Sequence, residues 1–141
     1  MAGEGRRRGL AAGRLIRAGG RRDAAYRRGK RTKCDLSEAH LENVVLLDLL
    51  AWRDSRTERA ELLYWRTSAG EEVDLVVETG GRVLPIEIKA TSRPRLKDAA
   101  NLRAFRAEYG KAARSGLLLH TGSAVEWLAP DVLAAPWWRV C

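Results

Sequence analysis

The stretch from Glu72 to Lys89 leaves the backbone little choice. Glu72-Val-Asp-Leu-Val-Val-Glu78 and Val83-Leu-Pro-Ile-Glu-Ile-Lys89 are alternating, β-branched-rich runs separated by Thr79-Gly-Gly-Arg82. Gly-Gly between such runs is the usual signature of a two-residue turn with positive φ at both central positions, whose twist matches that of the strands. The turn fixes the register. Thr79 faces Arg82, Val77 pairs with Leu84, Leu75 with Ile86 and Val73 with Ile88, and Asp74 stands opposite Glu87.

Aligned in this way, the hairpin has one wholly aliphatic face that can close on a core, and a second face carrying Asp74, Glu87 and Lys89. Directly opposed side chains have Cβ atoms about 5 Å apart, and Glu87 and Lys89 point the same way about 7 Å apart. Like charges so close repel, so a proton, Lys89 or a divalent cation must offset Asp74 against Glu87. Two carboxylates, a main-chain carbonyl such as that of Ile88, and water are ligands that Mg²⁺ accepts. Lys89 beside such an ion is placed to orient or deprotonate a water. As a bare pattern, however, Asp, twelve residues, then Glu-x-Lys arises about once per chain by chance at this composition. Two readings stand side by side: an acidic metal site, or a salt-bridged solvent face with Lys89 between two acids.

At 141 residues the chain has room for one domain, and no stretch approaches the run of about 20 apolar residues that a membrane span needs. A soluble, cytoplasmic protein is expected, and Cys34 and Cys141 have neither zinc-site spacing nor the look of a disulfide scaffold. The net charge of +8 is unevenly spread: residues 1–33 hold 12 Lys/Arg against Glu4 and Asp23, whereas 34–141 hold 14 basic and 16 acidic residues. Residues 1–33, rich in Arg, Gly and Ala, read as a disordered basic arm that either binds phosphate backbones nonspecifically or is a plain solvated extension. Gly29-Lys-Arg-Thr32 lacks the first glycine and the Ser/Thr of a phosphate loop, so no nucleotide site is expected.

The body spans 34–141. Ser37 is a good N-cap for a helix over 38–53, apolar almost all round and therefore buried, with Glu42 in line with Val45, Leu46 and Leu49. That carboxylate either finds a partner at a site or reaches water near the first turn. Residues 62–66 read as a strand leading into the hairpin, 98–109 as a helix ended by Gly110, 116–120 as a buried strand reached by a parallel crossover, 124–128 as a further strand and 136–140 as a final extended segment. The fold class is α/β, a mixed sheet in the order α-β-β-β-α-β. Arg93, Arg95, Lys97, Arg103, Arg106 and Arg114 give 89–114 a local excess of basic charge, which is either a phosphodiester-binding surface beside the acidic site or a solvated helix face. Of the five tryptophans, Trp65 and Trp127 are expected in the core, and only one of Trp137 and Trp138 can face it.

This order, with Glu42 on the first helix, Asp74 on the second strand and Glu87-Ile-Lys89 on the third, resembles the PD-(D/E)XK, or restriction-endonuclease-like, superfamily. Tyr64-Trp-Arg-Thr-Ser-Ala-Gly-Glu-Glu-Val-Asp-Leu-Val-Val77, Pro85-Ile-Glu-Ile-Lys-Ala90, Leu102-Arg-Ala-Phe105 and Ala135-Pro-Trp-Trp138 are similar to the C-terminal domain of unknown function that follows the ATPase module in many bacterial and archaeal AAA+ proteins. The resemblance covers about residues 38–140. It implies a restriction-endonuclease-like core in which Asp74, Glu87 and Ile88 ligate Mg²⁺ (or Mn²⁺ as substitute), Lys89 assists the attacking water and Glu42 supports the site. It also implies DNA as substrate and an AAA+ module or a second copy as partner. The superfamily contains nucleases and inactive relatives alike, so a non-catalytic interaction or regulatory module is the alternative. No AAA+ module precedes the domain in this sequence, which therefore looks like a detached or truncated C-terminal piece with no ATPase activity of its own.

Overall fold

The computed structural model describes residues 13–17 and 33–140, with side chains from residue 38 onward in the second stretch. In chain order the elements are β1 (Arg14–Arg17), α1 (Lys33–Ser55), β2 (Glu61–Arg66), β3 (Glu72–Thr79), β4 (Arg82–Lys89), α2 (Ala100–Tyr109), β5 (Gly116–His120), β6 (Glu126–Ala129) and β7 (Val132–Pro136). Short 3₁₀ turns occupy Leu96–Ala99, Gly110–Ala112 and Trp137–Arg139. The strands form one mixed seven-stranded sheet in the order β1-β2-β3-β4-β5-β7-β6, with parallel pairing at β4–β5 and β5–β7. No described helix is long and apolar enough to cross a membrane.

The expected α-β-β-β-α-β order is present as α1-β2-β3-β4-α2-β5, with α2 making the crossover that lets β5 lie parallel to β4. Several boundaries differ. The first helix begins at Lys33, so Ser37 lies within it instead of capping it. Nor is that helix buried all round: Leu41, Val45 and Leu49 face the core while Leu47 is 64% exposed. Trp137–Arg139 is a 3₁₀ turn and not an extended segment, and the strand there is Val132–Pro136, which enters between β5 and β6. Within the basic arm, Arg14–Arg17 pairs antiparallel with β2, so this part of it is a strand, contrary to expectation. Residues 1–12 and 18–32 lie outside the described residues.

Two apolar layers clamp the sheet. On one face, Leu41, Val45 and Leu49 of α1 pack on Leu75, Val77, Ile86, Ile88, Leu117 and Leu119. On the other, Leu102 and Phe105 of α2 pack on Leu63, Trp65, Val73, Val76 and Leu118. Trp65 meets Phe105 edge-on at 5.4 Å, and Phe105 stacks on Tyr109 at 4.2 Å. Each such side chain, fully buried, contributes about 1.5–3 kcal/mol.

The hairpin turn is as its sequence demands, with Gly80 at φ 56° and Gly81 at φ 75°, and the pairs Thr79↔Arg82, Val77↔Leu84 and Leu75↔Ile86 hold. Beyond Leu75 the expectation fails. Between Leu63↔Val76 and Trp65↔Val73, two residues of β3, Asp74 and Leu75, oppose only Tyr64 of β2. This is a β-bulge, and one extra residue flips the side chains beyond it to the other side of the sheet. Val73 consequently joins the α2-side core instead of continuing the Leu75–Val77 stripe, and the β3–β4 ladder stops at Leu75↔Ile86 before reaching Asp74 and Glu87.

A Cβ added at Gly81 meets nothing within 4 Å, so a substitution there tests backbone strain alone. Gly81→Val is expected to lower unfolding stability by about 1–2 kcal/mol, the cost of a left-handed conformation in a residue with a side chain. The check is the urea midpoint at unchanged slope; a midpoint equal to that of the parent would mean the turn does not require positive φ.

Candidate active site

Where the β3–β4 ladder stops, side chains replace main chain. The Ile88 N–H, which would otherwise donate across the ladder, donates to Asp74 Oδ2 at 2.8 Å. Glu87, its neighbour on β4, is only 3% exposed. Its Oε1 lies 3.0 Å from Lys89 Nζ, while its Oε2 is buried and meets no protein hydrogen-bond partner. Lys89 Nζ is also 3.4 Å from Glu38 Oε1, and the other oxygen of Glu38 accepts the Ala90 N–H at 3.1 Å. The N-terminal part of α1 is thereby tied to the end of β4. Asp74, Glu87 and Lys89 come together as the hairpin register implied, but through a bulge and a broken ladder instead of a regular cross-strand pair.

The electrostatics reflect burial and spacing. Burial, reinforced by the Asp74 carboxylate, pushes the Glu87 carboxyl up from 4.5 to about 8, against the opposing pull of Lys89. Burial works against the Lys89 charge, yet Glu87, Asp74 and Glu38 together hold its ammonium above the usual lysine value. At neutral pH the cluster therefore pairs a firmly cationic lysine with a carboxyl group that shares its site with a proton unless another cation is supplied.

A family model matches residues 37–140. The chain belongs to the DUF4143 family, a domain of unknown function. DUF4143 domains are commonly found with AAA-type ATPases. Comparison with curated proteins and with solved structures gave no match. The match takes in α1 from Ser37 onward, the hairpin and both parallel strands, so every residue of the acidic cluster lies inside the DUF4143 domain.

The other expected site residues divide. Glu42 is half-buried one turn beyond Glu38 on α1, whereas the helix carboxylate bonded to Lys89 and Ala90 is that of Glu38. Sequence reasoning missed Glu38 because a helix starting at residue 38 places it in a first turn facing solvent; its spacing of four from Glu42 was the available signal. Arg93, Arg95, Lys97 and Arg103 are exposed. Arg106 is not available to a phosphate: it donates to the carbonyls of Ala113 (2.9 Å) and Arg114 (2.6 Å) and pairs with Asp131, fastening the end of α2 to the β6–β7 turn. Trp65 is buried as expected, but Trp127 is 63% exposed on edge strand β6. Of the terminal pair, Trp137 packs on the core while Trp138 is exposed.

Glu87 offers a pH test. A carboxyl whose pKa rises from 4.5 in the unfolded chain to about 8 on folding stabilises the fold when protonated. That contribution is complete below about pH 4.5 and is lost as pH rises through about 8; the raised lysine acts only above this window. In EDTA, the thermal midpoint is expected to fall over this range in the parent, and the fall should shrink in Glu87→Gln. Identical pH slopes in the two proteins would rule out Glu87 as the titrating group.

Proposed function

We propose that this DUF4143 domain is a PD-(D/E)XK-type, Mg²⁺-dependent phosphodiesterase acting on DNA, working beside an AAA-type ATPase module. The observation that carries this reading is Glu87: a carboxylate buried to 3% exposure, with one oxygen unbonded, beside Asp74 and in contact with a cationic lysine. A buried, unsatisfied carboxylate is costly and has to be offset by something, and perturbed acids of this kind concentrate at functional sites. The order α1-β2-β3-β4-α2-β5 and the position of the acids at the end of the central hairpin support the same superfamily.

The donor set fits the ion. Among the described residues no group of three or more His, Cys, Asp or Glu side chains is arranged to hold a metal. Mg²⁺, however, is held by one or two carboxylates completed by water and substrate phosphate, and seldom by an all-protein cage. Asp74 and Glu87 would be those carboxylates, with the Ile88 carbonyl as the main-chain oxygen. Bound there, Mg²⁺ or Mn²⁺ supplies charge neutralisation at the phosphoryl oxygen and acidifies a water. The chain's own residues do the rest. Ile88 holds Asp74 through its N–H, Glu38 steadies Lys89, and the Lys89 ammonium orients the attacking water and the phosphate. Arg93, Arg95 and Lys97, exposed on the loop and turn after Lys89, would meet the phosphodiester backbone.

A second reading is a non-catalytic module for an ATPase partner or a second copy. It is favoured by Lys89, whose ammonium already contacts both Glu87 and Glu38 as a closed ion-pair set, and by the exposed Trp127 and Trp138.

The test is Mn²⁺ calorimetry on the full chain and then metal-stimulated cleavage of DNA. Asp74→Asn keeps an acceptor for the Ile88 N–H and removes the charge, so loss of Mn²⁺ binding in it, with an unchanged circular dichroism spectrum, is the expected result. Lys89→Ala should retain Mn²⁺ while cleaving about 100-fold more slowly or worse. Cleavage undiminished in both variants would identify a contaminating nuclease, and the absence of Mn²⁺ binding in the parent would favour the second reading.

A further inference from the structure

His120 ends β5 and is fully buried. Its Nδ1 accepts the Gly122 N–H at 2.9 Å, which leaves the proton of a neutral imidazole on Nε2. That Nε2 is buried and has no protein partner. The Glu87 Oε2 is in the same condition. His120 Nε2 is a donor, whereas Glu87 Oε2 accepts when ionised and donates when it carries the proton that burial favours; a water can meet either state, and buried groups of this kind are as a rule completed by water or an ion.

The sheet brings the two to one place. In the parallel β4–β5 ladder, Glu87 is the register partner of Leu118 and Lys89 that of His120. Ile86, Ile88, Leu117 and Leu119 all belong to the α1-side core and Leu118 to the α2-side core. Alternation therefore puts Glu87, Lys89 and His120 on a common face. Glu87 and His120 are diagonal neighbours, one strand across and two residues along, with Cα atoms about 8 Å apart by strand spacing and rise. Their two orphan atoms do not bond each other, and a diagonal placement of this kind is within the reach of a shared third atom. A water bonded at about 2.8 Å to each spans a gap of up to about 5.5 Å. Lys89, the register partner of His120 and 3.0 Å from the other Glu87 oxygen, supplies the third polar neighbour that buried waters typically have.

We propose that in the metal-free protein one buried water bridges His120 Nε2–H and Glu87 Oε2, and that His120 is thereby a positioning residue that fixes the Glu87 carboxylate. The role does not depend on the nuclease reading. Where that reading holds, the same water holds the carboxylate in one orientation before the ion arrives, as outer-shell partners of metal ligands do.

Imidazole ¹⁵N spectra of the full chain in EDTA, without DNA, decide it. The expected result is the Nε2–H tautomer of His120 with a cross-peak from that proton to water, and loss of the cross-peak in Glu87→Leu. An Nδ1–H tautomer, no water cross-peak in the parent, or a cross-peak that persists in Glu87→Leu would each overturn the proposal. Should Glu87→Leu fail to fold, the parent spectrum alone still discriminates. A second arm separates positioning from mere packing: His120→Gln, whose amide places a donor where Nε2 stood, is expected to keep Mn²⁺ affinity within about 3-fold, and His120→Leu to lose about 10-fold or more. Equal affinity in the two variants would reduce His120 to core filling. A parent that binds no Mn²⁺ defeats the nuclease reading and leaves the water to be judged by its spectrum.

Discussion

The hydrogen bond from Ile88 N–H to Asp74 is the point on which this domain turns. A main-chain donor inside a sheet has to be satisfied, and the bulge at Asp74 and Leu75 removes the carbonyl that a regular ladder would have presented. A carboxylate takes its place. The substitution accommodates an extra residue in β3 and lets Val73 change faces to fill the α2-side core. It also holds Asp74 at the mouth of the opened ladder, next to Glu87. Asp74 is thus part of the backbone's hydrogen bonding before it is part of any chemistry. Removing its acceptor leaves a buried N–H unpaired at a cost of about 1–3 kcal/mol, which is why an amide is the informative replacement there and alanine is not.

The legibility of the chain tracks how local each determinant is. The hairpin was readable because Gly80 and Gly81 fix its register through backbone sterics alone. The α2 crossover was readable because a helix ending at Gly110 and succeeded by an apolar run leaves a parallel return as the short route. The bulge was not readable: Glu72-Val-Asp-Leu-Val-Val alternates no worse with a bulge than without one, and the extra residue is defined only by what lies opposite on β2. Strand β7 was missed because Val132-Leu-Ala-Ala is short and bounded by Pro130 and Pro136, and it becomes a strand only once β5 offers it an edge. Trp127 misled for a related reason. Aromatic residues are buried on average, yet β6 is the last strand of the sheet and has one neighbour.

For the candidate site, the acids and the lysine were legible and their support was not. Glu87 and Lys89 are fixed by strand spacing and Asp74 is brought near them by the turn-set register, all of which sequence displays directly, although it does not display the bulge that finally seats Asp74. Glu38 is fixed by where α1 starts and how it lies across the sheet end, and His120 by a ladder between strands distant in sequence. Arg106 shows the converse. Its place in a basic run suggested phosphate contact, whereas its guanidinium closes the end of α2 against two carbonyls and Asp131. Charge read along a sequence counts side chains without showing which of them already have partners.

The charge balance of the cluster narrows what it can be. Among the described residues, Glu38, Asp74 and Glu87 present three carboxylates to the Lys89 ammonium, and two of the three contact it directly. Were all ionised, the group would carry an excess of two negative charges in surroundings that bury Glu87 almost completely. A closed structural ion pair does not need that excess; one lysine and one carboxylate would serve, and an apolar pair would often be as stable. Burial, with the Asp74 charge adding to it, raises the affinity of Glu87 for a proton, which is the smallest cation available to relieve the excess. A divalent ion bound as proposed would relieve it more completely and displace that proton. On the proposed reading, proton and metal would compete for one carboxylate that the fold has buried, desolvated and left with an oxygen that meets no protein partner, and that competition would set this cluster apart from an ordinary salt-bridged surface.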